Sequence, residues 1–271
     1  MIRFFILFGY FILTLYLHLS GKLNQYLNLH YSYLAYITMV LSFLLAIVQA
    51  YICFKRLKEH SHLHKFSAKL ASFVLLSLPL LVGFVFPTVA LDSQTVSAKG
   101  YYFPLSEGTD KAIQASEGTS SQYLKPDTSR FYSHTAYVDT VRKIADKYLA
   151  QSSIVITDEN YLEVMEAIYD YPNEFDSKEI EFIGFVYNDP SHSDSQFVFR
   201  FGIMHCIADS GVFGLLTTGN TNHYENNTWV RVKGKIRNQY HKELNQVLPT
   251  IEVQSFVKVD KPDNPYVYKE F

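Results

Sequence analysis

The sequence predicts an α+β protein with three N-terminal transmembrane helices and an extracytoplasmic domain that contains a small antiparallel, OB-like β-barrel plus helices. Three observations support this prediction. Long uncharged apolar runs fill the first third of the chain. Charge divides the chain, because residues 1–91 carry seven basic residues and one acid, whereas residues 92–271 carry 17 basic and 25 acidic residues. Short segments with alternating polar and apolar residues dominate the last hundred residues.

This composition excludes several classes of protein. A basic, apolar first third joined to an acidic, polar remainder excludes a simple soluble enzyme. It also excludes a transporter that works alone, since two thirds of the chain is too polar to span a bilayer. The acidic outer part argues against nucleic acid as a partner. Only two cysteines, Cys53 and Cys206, are present, so there is no disulfide framework.

Three uncharged runs predict the membrane domain, which we place at residues 1–91. A helix of about 17–25 residues spans a bilayer, and backbone groups in lipid must form their own hydrogen bonds. The runs therefore predict helices over Phe4–Leu19, Ser32–Phe54 and Leu70–Leu91. Residues 92–130 are rich in Ser, Thr, Gly and Lys and predict a linker with short ordered pieces.

The orientation follows from the distribution of positive charge. The loop at residues 55–69 holds five Lys or Arg residues, whereas the loop at residues 20–31 holds only Lys22. Positively charged loops stay in the cytoplasm. The sequence therefore predicts a multi-pass protein of the cell membrane, with a cytoplasmic N-terminus, the lipid bilayer around its helices, and residues 92–271 outside.

Residues 131–271 predict the extracytoplasmic α+β domain. Apolar spacing predicts helices over 133–150 and 158–169, the second with Thr157 as N-cap. Strands are expected at 152–156, 179–187, 196–205, 211–217, 228–236 and 251–259. Residues 238–248 fit either a helix or a hairpin. Glycines inside the strands, at Gly184, Gly202 and Gly234, favour a curved OB-like barrel. An open sheet against two helices is the alternative.

The segment from Arg200 to Ser210 contains the candidate metal site, His205, Cys206 and Asp209. Thiolate and imidazole bind zinc or copper, and a carboxylate adds an oxygen. Adjacent strand residues point to opposite faces, so His205 and Cys206 share an ion only at a bulge or a strand end. Further ligands would come from His192, His223 or His241. The alternatives are a buried cysteine with Asp209 capping a turn, and a catalytic thiol.

A second histidine-rich tract lies in the inner loop. His60, His62 and His64 alternate within KRLKEHSHLHK, which fits a weak metal-collecting tract or a polar, positively charged anchor. The sequence has no nucleophile elbow, phosphate-binding loop or dinucleotide fingerprint. It therefore favours a non-enzymatic membrane subunit, with a membrane-anchored, thiol- or metal-dependent extracytoplasmic enzyme as the alternative.

Several segments carry a resemblance that runs nearly end to end. They are LVGFVFPTVALDSQTVSAKG, IVITDENYLEVMEAIYDYP, EIEFIGFVY, RFGIMHCIADSGVFGLL, NTWVRVKGKI and PDNPYVY. In these segments the chain resembles the bacterial YcgQ-like family of two-component permease subunits. The resemblance implies a separate polytopic permease of the YraQ-like type as partner, no known catalytic residues, and a weak link to metal, with zinc as the candidate ion.

The chain departs from the family at the candidate metal site. Family members often have Cys-Cys where this chain has His205-Cys206. A histidine preserves metal-binding ability and removes a vicinal dithiol. The departure therefore favours metal binding over dithiol redox chemistry at this position.

Overall fold

The computed structural model describes residues 2–55, 65–86, 90–100, 134–189, 196–219, 222–241 and 246–269. The chain divides into two compact units, Met1–Val89 and Ala90–Phe271. The first unit is helical and the second combines a sheet with helices. The coarse prediction of three N-terminal apolar helices followed by an α+β domain is confirmed.

Among the residues that the structure describes, the first unit has three helices that are each long and apolar enough to cross a membrane. They are α1 (Ile2–Leu19), α2 (Ser32–Phe54) and α3 (Phe66–Val85). Two short 3-10 turns, Lys22–Gln25 and Leu29–Tyr31, connect α1 to α2. The third helix begins earlier than the predicted run, at Phe66, and ends earlier, because Phe86 has an extended backbone conformation.

Helix α1 packs against both α2 and α3. Glycines make the contact with α3 close. A Cβ atom at Gly9 would lie 2.9 Å from Leu80 Cδ1, and one at Gly83 would lie 2.8 Å from Leu13 Cδ2. A leucine of α3 thus packs against the glycine of α1, and a leucine of α1 packs against the glycine of α3. Membrane helices favour this kind of packing around small residues. Phe11 of α1 packs against Phe43 of α2 with 4.9 Å between ring centroids.

In its described residues, the second unit contains four α-helices and seven strands. The helices are α4 (Ser93–Lys99), α5 (His134–Leu149), α6 (Tyr161–Asp170) and α7 (Pro172–Phe175). The strands are β1 (Ser153–Val155), β2 (Glu179–Asn188), β3 (Gln196–Ile203), β4 (Gly211–Thr218), β5 (Trp229–His241), β6 (Gln246–Lys258) and β7 (Tyr266–Tyr268).

The seven strands form one mixed sheet in the order β1-β2-β5-β6-β4-β3-β7. An additional pairing joins β2 to β3, so the pairings of β2, β3, β4, β6 and β5 return to their starting strand. Parallel pairs occur at β1–β2, β3–β7 and β4–β6. The expectation of an antiparallel sheet is therefore wrong. The parallel β1–β2 pair arises because α6 and α7 carry the chain from one strand to the other.

Glycine permits two close backbone crossings in this ring of strands. A Cβ atom at Gly214 would lie 1.9 Å from the carbonyl oxygen of Val198, and one at Gly234 would lie 2.2 Å from that of Glu252. At Gly214 the backbone N–H and carbonyl are satisfied by the buried Tyr169 hydroxyl, which accepts at 2.8 Å and donates at 2.7 Å. The register of β5 and β6 shifts beside Gly234, as expected at a bulge.

The helices α5 and α6 cover the sheet with apolar faces. Val141, Ala145 and Tyr148 of α5 are buried, as are most residues of α6. Lys178 extends its ammonium to the carbonyl oxygens of Leu149 and Gln151. A cation at a helix C-terminus satisfies carbonyls that have no partner within the helix.

The structure differs in detail from three local predictions, at the start of α6, in the segment before β6 and in the expected linker. Helix α6 begins at Tyr161 rather than at Asp158, because Asn160 rather than Thr157 is its N-cap, and the Asn160 side chain accepts the Thr157 N–H at 2.7 Å. Residues 238–241 and 246–248 belong to the antiparallel strands β5 and β6, not to a helix, and residues 242–245 lie outside the described residues. Within the segment expected to be a linker, α4 is ordered and buries Val96. Residues 101–133 lie outside the described residues, and the linker boundaries stay a prediction.

Trp229 generates a prediction about stability. It is 7% exposed, packs 6.0 Å from the Phe185 ring, and lies 5.5 Å from the Arg200 guanidinium. We expect Trp229→Ala to lower the free energy of unfolding by about 3–5 kcal/mol, because truncation leaves a cavity. Hydrogen exchange of the β5 amides in the full-length protein measures this change. The exposed Tyr240→Ala is the control and should cost less than about 0.5 kcal/mol. Equal costs for the two variants would contradict the prediction.

Candidate functional site

The candidate metal residues lie in the turn that joins β3 to β4. Strand β3 ends at Ile203, and the chain bends through Met204 and His205 into a 3-10 turn at Ile207–Asp209. Ser210 ends this turn, where its hydroxyl donates to the Ile207 carbonyl at 2.8 Å and accepts from Lys99 Nζ at 3.2 Å. His205 and Cys206 therefore lie beyond the strand end, where side-chain alternation no longer separates adjacent residues.

The Asp209 carboxylate organises this turn. It accepts the backbone N–H of His205 at 2.9 Å on Oδ2 and 3.2 Å on Oδ1, and that of Cys206 at 3.0 Å on Oδ1. The imidazole of His205 adds a contact of 2.8 Å between Nδ1 and Oδ2. The structure thus brings His205 and Asp209 into direct contact. Cys206 joins them through its backbone N–H, and its side chain is partly exposed and reduced.

The other histidines considered as ligands are distributed over the chain. His223 lies in the exposed loop before β5, and His241 is the last residue of β5. His60, His62, His64 and His192 lie outside the described residues. Within the described ranges, no three side chains of the His, Cys, Asp and Glu types come together as ligands for one ion.

A second polar centre, around Arg200, was not identified from the sequence. Arg200 lies in the middle of β3 with a side chain that is 2% exposed. One terminal nitrogen donates to the carboxylate of Asp158, and the other donates to the carbonyl oxygens of Asn264 at 3.0 Å and Tyr266 at 3.3 Å. The guanidinium also lies 5.8 Å from the Tyr161 ring centroid. Its Nε is buried without a hydrogen-bond partner.

Arg200 joins segments that are distant in sequence. Asp158 belongs to ITDEN, Trp229 to WVRVKG, and Asn264 to PDNPYVY, each of which carried the resemblance described above. One signal for Arg200 was available: it is the only charge in QFVFRFGI, and a charge inside a buried strand needs partners. The partners themselves could not be read from spacing, because they lie 42 and 64 residues away.

Buried tyrosines surround this centre and act as hydrogen-bond groups. Burial raises the pKa of Tyr268 to about 12, although its hydrogen bond to Asn264 opposes the rise. Burial likewise raises the pKa of Tyr161, whose hydroxyl donates to the Phe213 carbonyl. Phenols with raised pKa values stay protonated near neutral pH. They are therefore suited to structural hydrogen bonds and not to accepting a proton.

The Arg200 centre generates a stability prediction. We expect Arg200→Lys to lower the free energy of unfolding by about 1–3 kcal/mol, because an ammonium cannot reproduce the planar fork that serves Asp158 and two carbonyls. Arg231→Lys is the matched control, since Arg231 pairs with Glu181 on an exposed face of the same sheet. It should cost less than about 1 kcal/mol.

Denaturation of the full-length protein, followed through Trp229 fluorescence, measures both Arg200→Lys and Arg231→Lys. Trp229 is the single tryptophan of the chain and lies beside Arg200. A cost at Arg200 no larger than that at Arg231 would contradict a structural role for the buried guanidinium.

Comparisons with known proteins agree with the two-unit architecture. The DUF1980 N-terminal domain matches residues 2–102, and the DUF1980 C-terminal domain matches residues 131–269. A Streptococcus mutans protein named "Putative two-component membrane permease complex subunit" is 55% identical, and the alignment covers all of both chains. The Bacillus subtilis "UPF0703 protein YcgQ" is 35% identical, again over all of both chains. No solved structure matches the chain.

The two domain matches and the two alignments account for nearly all of this chain. The two domain models together cover the three apolar helices and the sheet, including Arg200 and the turn with His205, Cys206 and Asp209. The chain therefore belongs to the YcgQ-like family, carries both DUF1980 domains, and is a multi-pass membrane protein.

Proposed function

We propose that the chain is a non-enzymatic accessory subunit of a bacterial two-component membrane permease, and that its outer domain binds the substrate or gates the partner. The name of the Streptococcus mutans relative, which is 55% identical over the full chain, supports a subunit of a permease complex. The partner in this proposal is a separate polytopic permease in the same bilayer.

The observation that carries the proposal is the packing of the membrane unit. Helices α2 and α3 each contact α1, and most of their remaining large apolar side chains are exposed. Three helices arranged in this way expose their surface to lipid or to another helical protein. The polar Gln49 is buried on α2 together with Ser42 and Ala46, so the contact among these helices uses small and polar residues. The apolar faces remain for a polytopic partner.

The outer domain fits a binding or gating role better than a catalytic one. Its buried polar groups are used to hold strands and loops together, as at Arg200 and Tyr169. We further propose that the ring of β2, β3, β4, β6 and β5 is an OB-like barrel. Five strands with hairpins and one parallel contact, β4–β6, support that assignment.

Metal is the substrate class that we propose for this domain, with zinc as the first candidate ion. The support is the donor chemistry of His205, Cys206 and Asp209 on one exposed turn. The alternative function, a membrane-anchored thiol- or metal-dependent enzyme outside the cytoplasm, rests on the same Cys206 beside His205. It would require a base or a bound ion that activates the thiol.

The partner proposal predicts a stable complex. A tagged full-length chain purified in mild detergent should carry a polytopic permease, identified by mass spectrometry, and deletion of that permease should lower the level of this chain. Elemental analysis of the same preparation tests for metal. Gln49→Leu, a substitution at a buried position of α2, is the control. It shows how much of the chain is lost through misfolding alone. Recovery of the chain alone, at unchanged levels in the deletion strain, would contradict the proposal.

The orientation that we propose places the N-terminus in the cytoplasm and residues 92–271 outside. Alkaline phosphatase folds only outside the cytoplasm, where its disulfides form. A fusion after Phe271 should therefore be active, and a fusion after Lys65 should be inactive. Immunoblots of the two fusions control for expression. The reverse pattern of activity would overturn the orientation.

A further inference from the structure

We propose that residues 90–100, which contain α4, couple the second unit to the membrane helix α3, so that a change in the outer domain reaches the membrane along the chain. This coupling segment begins only a few residues after α3 ends at Val85. The inference rests on the gating role proposed above, and it names the element of this chain that performs the gating.

The beginning of the coupling segment is bound by side chains from two distant parts of the second unit. The Tyr266 hydroxyl accepts the backbone N–H of Leu91 at 3.0 Å, and the Asn227 side chain accepts that of Ser93 at 2.8 Å. Tyr266 lies in β7 and is buried, and its carbonyl oxygen also accepts from Arg200. The chain that follows α3 is therefore bound to the Arg200 centre.

Helix α4 is capped at both ends and anchored by one apolar side chain. The Asp92 carboxylate accepts the N–H groups of Gln94 at 3.0 Å and Thr95 at 3.3 Å, as an N-cap does. Gly100 follows the helix with a φ of 78°, which favours glycine. Val96 is buried in the core of the second unit. Because a helix this short is marginal in water by itself, these contacts keep α4 helical.

The end of α4 reaches two further elements of the second unit. Lys99 Nζ donates to the hydroxyl of the fully buried Ser210 at 3.2 Å, which joins α4 to the turn between β3 and β4. Ser97 donates to the Tyr187 hydroxyl of β2 at 3.4 Å. One short segment thus contacts β7, the loop before β5, β2 and the turn that carries the candidate metal residues. A change in these elements that shifts α4 also moves the chain that continues into α3.

Hydrogen exchange of the full-length protein in detergent tests the attachment of the segment. We expect Asn227→Gly and Tyr266→Phe to speed exchange within residues 91–100 by about 3–10-fold, because each removes an acceptor of a segment N–H. Asn227→Asp retains the acceptor and tolerates the φ of 67° at this position, so it should leave the exchange unchanged. Lys258→Met, at an exposed position of β6, is the control. Equal exchange in every variant would overturn the proposal.

The permease partner tests the coupling. Coupling free energies are reciprocal, so a partner that binds the membrane helices must also change the stability of α4. We expect exchange of the α4 amides to differ by about 5-fold or more between the chain purified with its permease and the chain purified alone. A short glycine linker inserted between Val89 and Ala90 should abolish this difference and leave the recovery of the permease unchanged, because a flexible linker does not transmit a shift.

Three further outcomes distinguish the coupling from the subunit proposal. Recovery of the permease with unchanged exchange of α4 would refute the coupling and leave the subunit proposal standing. A difference that persists after the glycine insertion would also refute the coupling, because the partner would then contact α4 directly. Absence of a permease from the wild-type preparation would refute the subunit proposal, and the coupling with it.

Discussion

The second unit depends on one steric constraint, which is the close approach of backbones where its five central strands return to their starting strand. At Gly214 and Gly234 the neighbouring carbonyl oxygens come so near that any side chain would collide with them. This close approach distorts the hydrogen-bond pattern of the sheet, because the backbone N–H and carbonyl of Gly214 both bond to the Tyr169 hydroxyl. Tyr169 therefore links the covering helix α6 to the strand β4 at the point where the sheet is least regular.

The buried charge of Arg200 adds a second constraint. A guanidinium removed from water is tolerated only when it is paired and hydrogen-bonded, because desolvation is costly. Arg200 meets this requirement with the Asp158 carboxylate and two carbonyls that precede or begin β7. The partly exposed Asp158 keeps its own desolvation cost low. The C-terminal strand and the turn before α6 are thereby held to β3 by one side chain, and this pairing accounts for the close packing of segments far apart in sequence.

Most helices and strands could be predicted from the sequence, but few of the contacts between them could. Apolar runs identified α1 and α2, and alternation identified β5 and the start of β2, because these signals are local. The start of α6 was misplaced, since Asn160 bonds back to Thr157 and delays the helix. Strand β7 and the parallel pairs were not predicted, because pairing depends on contacts across the chain. Arg200 was visible as a charge in an apolar strand, but Asp158 and Asn264 could not be assigned to it from spacing. For the candidate site, the sequence placed His205, Cys206 and Asp209 near a strand end, but the hydrogen bonds from His205 and Cys206 to Asp209 require the geometry.

The two polar centres differ in burial and in how their groups are hydrogen-bonded. Around Arg200 the groups are buried, mutually satisfied, and surrounded by tyrosines that stay protonated, so little capacity for proton transfer remains. At the turn from His205 to Asp209 the backbone is fixed by its own carboxylate, while the imidazole is exposed. The backbone of this turn is therefore ordered before any ligand arrives, which supports the binding role proposed above.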